Sequence, residues 1–177
     1  NSTGGAVNVI SKAPSTDGGS GKLNVTFGDY DLKKITTSNN FVVNERVATR
    51  FSISSTTREG FSKNIVTGQD LDDANNKAFR TDWMFDLNDS SSLRVFGQYF
   101  KVDRNGAAIR GIDDQTPGRR NLSQDTVSKH ELSSMVVAAI YESDLGFANL
   151  KIIASVQEDD VLVVRDNDRH NYLDPVL

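Results

Sequence analysis

The sequence predicts an all-β chain, and three observations carry that expectation. No apolar stripe at i, i+3, i+4 and i+7 persists long enough for an amphipathic helix. Period-two alternation recurs instead, rich in Thr, Val, Ile, Phe and Tyr. The alternating stretches run to about 9 to 12 residues, closer to the ~9–11 of a tilted membrane-spanning strand than to the ~5–6 usual in water-soluble domains. Connections that alternate between short and long add the asymmetry expected of a transmembrane β-barrel, so the pattern favours a barrel over a large soluble all-β domain.

Each element rests on its own residues. Leu23, Val25 and Phe27 alternate with Lys22, Asn24 and Thr26. A second strand is expected from about Leu32 to Val43. In the third, Val47, Thr49, Phe51 and Ile53 share one face and Ala48, Arg50, Ser52 and Ser54 the other, because successive side chains of a strand point to opposite sides. Phe79, Thr81, Trp83, Phe85 and Leu87 then oppose Ala78, Arg80, Asp82, Met84 and Asp86. Less regular strands are expected over Ser92 to Val102 and Lys129 to Tyr141. A last one sets Ala148, Leu150, Ile152, Ala154 and Val156 against Asn149, Lys151, Ile153, Ser155 and Gln157. The uncharged faces suit lipid, and the faces holding Arg50, Arg80, Asp82, Asp86 and Lys151 suit water, since a charge facing mid-membrane lipid costs up to a few kcal/mol. Trp83, Tyr99 and Tyr141 serve equally as interfacial anchors or ordinary core aromatics.

Short connections are expected at Asn44-Glu45-Arg46, Asn88-Asp89-Ser90-Ser91 and Ser143-Asp144-Leu145-Gly146. Long polar ones follow from about Glu59 to Asn76, Asp103 to Ser128 and Glu158 onward. Gly28-Asp29-Tyr30-Asp31 is a short turn where alternation places an outer loop.

Composition narrows the chemistry. The 177 residues carry 20 Lys+Arg and 24 Asp+Glu, a formal charge of −4, which disfavours nucleic acid as a main partner. With no Cys there are no disulfides, thiol nucleophiles or cysteine metal sites. No apolar run reaches the length of a transmembrane helix and no signal-peptide pattern opens the chain, which leaves strand-spanning proteins open. The start at Asn1 without Met and the stop at Leu177 read as an excerpt of a longer protein.

The opening residues Asn1-Ser2-Thr3-Gly4-Gly5-Ala6-Val7-Asn8-Val9-Ile10-Ser11-Lys12-Ala13-Pro14 resemble the segment that ends the plug domain of TonB-dependent outer-membrane receptors. Thr3, Gly4, Gly5 and Asn8 are its structural motif positions. Lys22 to Tyr30 resembles that family's first barrel strand, Ala48 to Ile53 its third, and Arg58-Glu59-Gly60-Phe61 the mouth of its second external loop. The resemblance implies residues 1–15 as the end of the plug and 16–177 as about the first seven strands of a 22-stranded antiparallel transmembrane barrel. It further implies a transporter of the Gram-negative outer membrane taking up a ferric siderophore. Its partners would be the TonB energy-transducing complex, reached through an N-terminal region, and outer-membrane lipid. Uptake of a corrinoid or oligosaccharide is the alternative within that architecture, and a soluble or surface all-β binding module the alternative outside it.

Arginine supplies several donors and a stacking plane for an anionic ligand. Arg58, Phe61, Arg104, Arg110, Arg119, Arg120 and His170, all in expected external loops, are therefore the candidate ligand contacts. Catalysis is not expected. The two histidines, His130 and His170, lack metal-ligand spacing, and no nucleophile elbow or phosphate loop occurs. The Asp-rich stretches, including Asp72-Asp73 and Asp113-Asp114, lack the pattern of a calcium loop, so neither a metal nor a cofactor is expected.

Overall fold

The computed structural model describes residues 11–169. Among these residues ten strands occur: β1 (Ser20–Gly28), β2 (Leu32–Asn44), β3 (Val47–Arg58), β4 (Ser62–Asn64), β5 (Asp70–Leu71), β6 (Ala74–Asn88), β7 (Ser91–Arg104), β8 (Asn121–Leu122), β9 (Lys129–Asp144) and β10 (Asn149–Val164). Seven of them form one antiparallel meander in the order β1-β2-β3-β6-β7-β9-β10. The other three form a small separate sheet, β5-β4-β8.

Each long strand contains the stretch that alternation marks, because a strand needs only its own sequence to define two faces, but β6 begins at Ala74 inside the expected loop and β10 continues to Val164 where a polar loop is expected from Glu158. Antiparallel partners directly across the ladder share a face. One row therefore runs Phe41, Thr49, Trp83, Val95, Ala139 and Ala154. The same face carries an aromatic ladder. Phe51 meets Trp83 edge-on at 6.2 Å, Trp83 stacks on Phe85 at 6.3 Å, and Phe41 lies 6.1 Å from Phe51. Among the described residues no second layer covers this face, and Phe27 and Val156 on it are each 74% exposed.

Three Asx turns close the short connections at one end. The Asn44, Asn88 and Asp144 side chains accept the backbone N–H two residues on, from Arg46 at 2.9 Å, Ser90 at 2.9 Å and Gly146 at 2.8 Å. Register shifts at Val42/Asn44 and Asp86/Asn88 mark bulges at the same end. The β1–β2 turn and the two long connections lie at the other.

The opposite face of the sheet is polar, and its centre is Asp82. This side chain is 1% exposed. Arg94 grips both carboxylate oxygens, Nε to Oδ1 at 2.8 Å and Nη2 to Oδ2 at 2.6 Å, and Arg80 Nη2 adds a bond at 3.0 Å. The hydrogen bond to Asp82 outweighs the cost of burial and raises the Arg94 pKa above its ordinary value. Arg80 in turn lies over the Phe96 ring, 3.9 Å from its centroid.

This architecture corrects the barrel expectation. Among the described residues β1 pairs only with β2 and β10 only with β9, so the sheet they form is open rather than closed, and no 22-stranded transmembrane barrel is formed. Alternation reports the two faces of a strand and is silent on whether a sheet closes, which is why the sequence pattern overreached. Two unpaired edges expose N–H and C=O groups that hydrocarbon cannot satisfy, and an open sheet encloses no passage. The resemblance to TonB-dependent receptors therefore does not hold. With it fall siderophore uptake and its corrinoid or oligosaccharide variants, the TonB complex, ferric siderophore and outer-membrane lipid as partners, and the Gram-negative outer-membrane location. The motif residues Thr3, Gly4, Gly5 and Asn8 lie outside the described residues. Among those described, no helix is long and apolar enough to cross a membrane.

Asp82→Asn should destabilise the fold by about 3 kcal/mol, because it leaves two largely buried guanidiniums without their counter-charge. Asp89→Asn, at a carboxylate whose side chain is 99% exposed, should change stability by less than ~0.5 kcal/mol. Urea denaturation of both variants measures the difference.

Candidate functional site at the loop end of the sheet

Short-range backbone geometry builds this site first. Tyr30 and Asp31 both adopt positive φ, 59° and 53°, and Leu32 N–H bonds Asp29 C=O at 3.3 Å. Two consecutive left-handed residues match the twist of a hairpin, normally at Asn-Gly or Asp-Gly. Tyr30, a non-glycine residue, holds this left-handed conformation at some backbone cost. Glu59 N–H then bonds Tyr30 C=O at 2.8 Å, which ties the hairpin tip to the end of β3.

The two long connections are ordered by side-chain amides that imitate strand pairing. Asn64 Nδ2 donates to Gln124 C=O at 2.9 Å, and its Oδ1 accepts Gln124 N–H at 3.2 Å and Val66 N–H at 3.1 Å. Gln69 repeats the device on Ser128, with Nε2 to C=O at 2.7 Å and N–H to Oε1 at 3.0 Å. Leu71 and Leu122, each 1% exposed, form an apolar nub beneath these ties. Gly60 permits the close approach: a Cβ there would stand 2.5 Å from Leu71 C=O. Asp72 and Asp73 finish the stitching, accepting Ala108 N–H at 3.1 Å, Ser62 Oγ–H at 2.6 Å and Asn105 N–H at 2.8 Å.

This scaffold gathers four side chains. The Arg58 guanidinium carbon stands 4.7 Å from the Phe61 ring centroid and that of Arg120 stands 4.9 Å from it. Tyr30 tilts against Phe61 at 5.8 Å, and its hydroxyl accepts Arg120 Nη1 at 2.7 Å. Arg58 Nη2 donates to the backbone carbonyl of Asp72, while its Nε is buried without a partner. Among the described residues neither arginine forms an ion pair. Two cations therefore share one aromatic ring, and among the described residues no carboxylate stands within ion-pair distance of either.

Of the sequence-derived candidates, Arg58, Phe61 and Arg120 come together. Arg119 is exposed beside Arg120. Arg104 is drawn instead to His130, with Nη2 3.2 Å from Nδ1. Arg110 is consumed within its own loop, donating to the carbonyls of Asp114 at 2.8 Å and Thr116 at 3.0 Å and pairing with the Asp114 carboxylate at 3.4 Å. Burial alone would push the Asp114 carboxyl up, but the bonds from Thr116 and the Arg110 charge hold it below the usual carboxylate range. His170 lies outside the described residues. Tyr30 was not among the candidates, although its place at the tip of a short turn beside the loop arginines was visible. Among the described residues no group of three or more His, Cys, Asp or Glu could hold a metal ion.

Asn64→Ala removes three hydrogen bonds and leaves Gln124 N–H and C=O buried without that partner, so stability should fall by about 2–3 kcal/mol. Limited trypsin digestion should then cut faster at Arg110, Arg119 and Arg120, with cleavage between strands of the large sheet unchanged under native conditions. Comparison with known proteins finds no matching family model, no matching curated protein and no matching solved structure.

Proposed function

We propose that the chain is an all-β binding module that moves nothing across a membrane and holds an anionic partner at the loop end of its sheet. The observation that carries this is the pair of guanidiniums, Arg58 and Arg120, set on the single ring of Phe61 without a carboxylate between them. Unpaired arginines beside aromatic rings offer both charge-assisted hydrogen bonds and a stacking plane, the combination that planar anions use. The amide ties of Asn64 and Gln69 hold the loops in place before a ligand arrives, which reduces the entropy lost on binding. Arg119 extends the positive edge. Arg110 acts as a loop support in this reading, because its donors are engaged within its own loop, and Arg104 lies apart from the cluster with Nη2 at His130. Binding without turnover fits a side-chain inventory with no Cys and two His.

Trimesate, a planar aromatic tricarboxylate, is a suitable probe. Calorimetric titration should show saturable binding that weakens about tenfold or more in Arg58→Gln/Arg120→Gln, equivalent to ~1.4 kcal/mol or more. Tyr30→Phe should weaken it less, and Arg110→Gln should act on stability rather than through direct contact. Equal affinity in the wild type and the double variant removes the proposed site.

A further inference from the structure

The polar face of the sheet carries a second feature that the loop-end reading does not use. Residues 11–19 run along this face as a strap. Asn40, 3% exposed, donates from Nδ2 to the carbonyls of Ser15 at 2.7 Å and Gly18 at 2.9 Å, and its Oδ1 accepts Ser15 N–H at 3.0 Å. Arg94 reaches the other end of the strap, where Nη2 meets Ser11 Oγ at 3.2 Å. Between strap and sheet lies a cavity of about 610 Å³, lined in part by Lys12, Asp17, Asn40 and Arg50.

Charge on this face does not balance. At its centre Arg50, Arg80 and Arg94 stand about the carboxylate of Asp82, register placing Arg50 directly opposite Asp82, while Asp86 and Glu142 lie nearer the turn end of the same face. Yet Arg94 and Arg80 take the Asp82 carboxylate, and Arg50 has no ion pair among the described residues. What Arg50 does contact is weak: Ser38 Oγ and Asn40 Oδ1, each at 3.4 Å, near the limit of a hydrogen bond. Its Nε is buried with no hydrogen-bond partner among the described residues. A buried donor on a cation is costly to leave unmet, and guanidinium Nε and Nη together match two oxygens of one planar or tetrahedral anion. Lys12 adds a second positive group to the cavity wall. Asp17, the carboxylate on that wall, is engaged by Ser15 Oγ at 2.6 Å.

We propose that the cavity beneath the strap is a small-oxyanion site centred on Arg50, taking a carboxylate or phosphate group. The strap closes it from one side, and Asn40 couples the two by holding both the strap and an Arg50 Nη. Phosphate and simple carboxylates present the same oxygen edge to the guanidinium fork, so the chemistry is shared and titration separates the sources.

The test is calorimetry on the full 177-residue chain with phosphate, acetate and chloride at matched ionic strength. The expected result is saturable millimolar binding of phosphate, acetate or both, beyond any effect of chloride. That affinity should drop at least tenfold in Arg50→Gln and stay unchanged in Lys151→Gln, whose half-exposed ammonium pairs with Glu142 near the turn end of the sheet. Phosphate alone identifies a phosphate ligand, and acetate alone a carboxylate. Should Arg50→Gln fail to fold, Arg50→Lys retains the charge without the fork and should still bind several-fold more weakly. No saturable binding in the wild type, responses matched by chloride, or undiminished affinity in a folded Arg50 variant would overturn the proposal.

Discussion

The backbone ladder of the seven-stranded meander is the constraint on which everything else depends. Continuous antiparallel pairing from β1 to β10 fixes which side chains share a face and which connections share an end. A slip of one residue between β3 and β6 would put Asp82 on the face of β3 that carries Phe51, move Trp83 to the side away from Phe51 and break their edge-on contact. It would also move the end of β3, from which Arg58 and Phe61 are presented. The two bulges sit at the turn end, so the centre of the ladder keeps an uninterrupted register.

Polar side chains do much of the specifying here, because apolar burial is thin. The buried hydrophobic residues among those described are Ala48, Leu71, Val102, Leu122 and Ala138, and none of the aromatic ladder is among them. Where a thick apolar core is absent, directional bonds decide the arrangement. The Asp82–Arg94–Arg80 group fixes the middle of the polar face, Asn40 fastens the strap, and Asn64 and Gln69 bind the loops to each other. Each replaces a missing backbone or charge partner, so each has a defined geometric consequence.

The long strands were legible because a half-polar strand writes its period of two directly into the sequence, as Val47 to Ser54 does. The short turns were legible at Asn44, Asn88 and Asp144 for an equally local reason: the side chain bonds a backbone group two residues away. Closure was not legible. Whether β10 meets another strand depends on the whole sheet, and a plug-like opening with well-spaced strands drew the reading toward a barrel that the open edges contradict. Nor were β4, β5 and β8, since pieces of two or three residues carry no periodicity. Asn64 and Gln69 also escaped notice, because their partners Gln124 and Ser128 are about 60 residues away in sequence. Arg58, Phe61 and Arg120 are candidates by residue type and loop position, and the fold brings the three side chains together. Arg104 and Arg110 share that signal, but Arg110 is bonded within its own loop and Arg104 lies beside His130 rather than at the ring of Phe61.

An open sheet with two free edges is the central claim, and residue-resolved amide hydrogen exchange tests it most directly. Amides in β3, β6 and β7 should exchange slowly, since they lie in the interior of the ladder. Along Ser20–Gly28 and Asn149–Val164, every second amide points away from the single neighbouring strand and should exchange orders of magnitude faster than the amides between them. Slow exchange at every amide along both edge strands would contradict the account, because it would mean that β1 and β10 are paired on both sides and the sheet is not open.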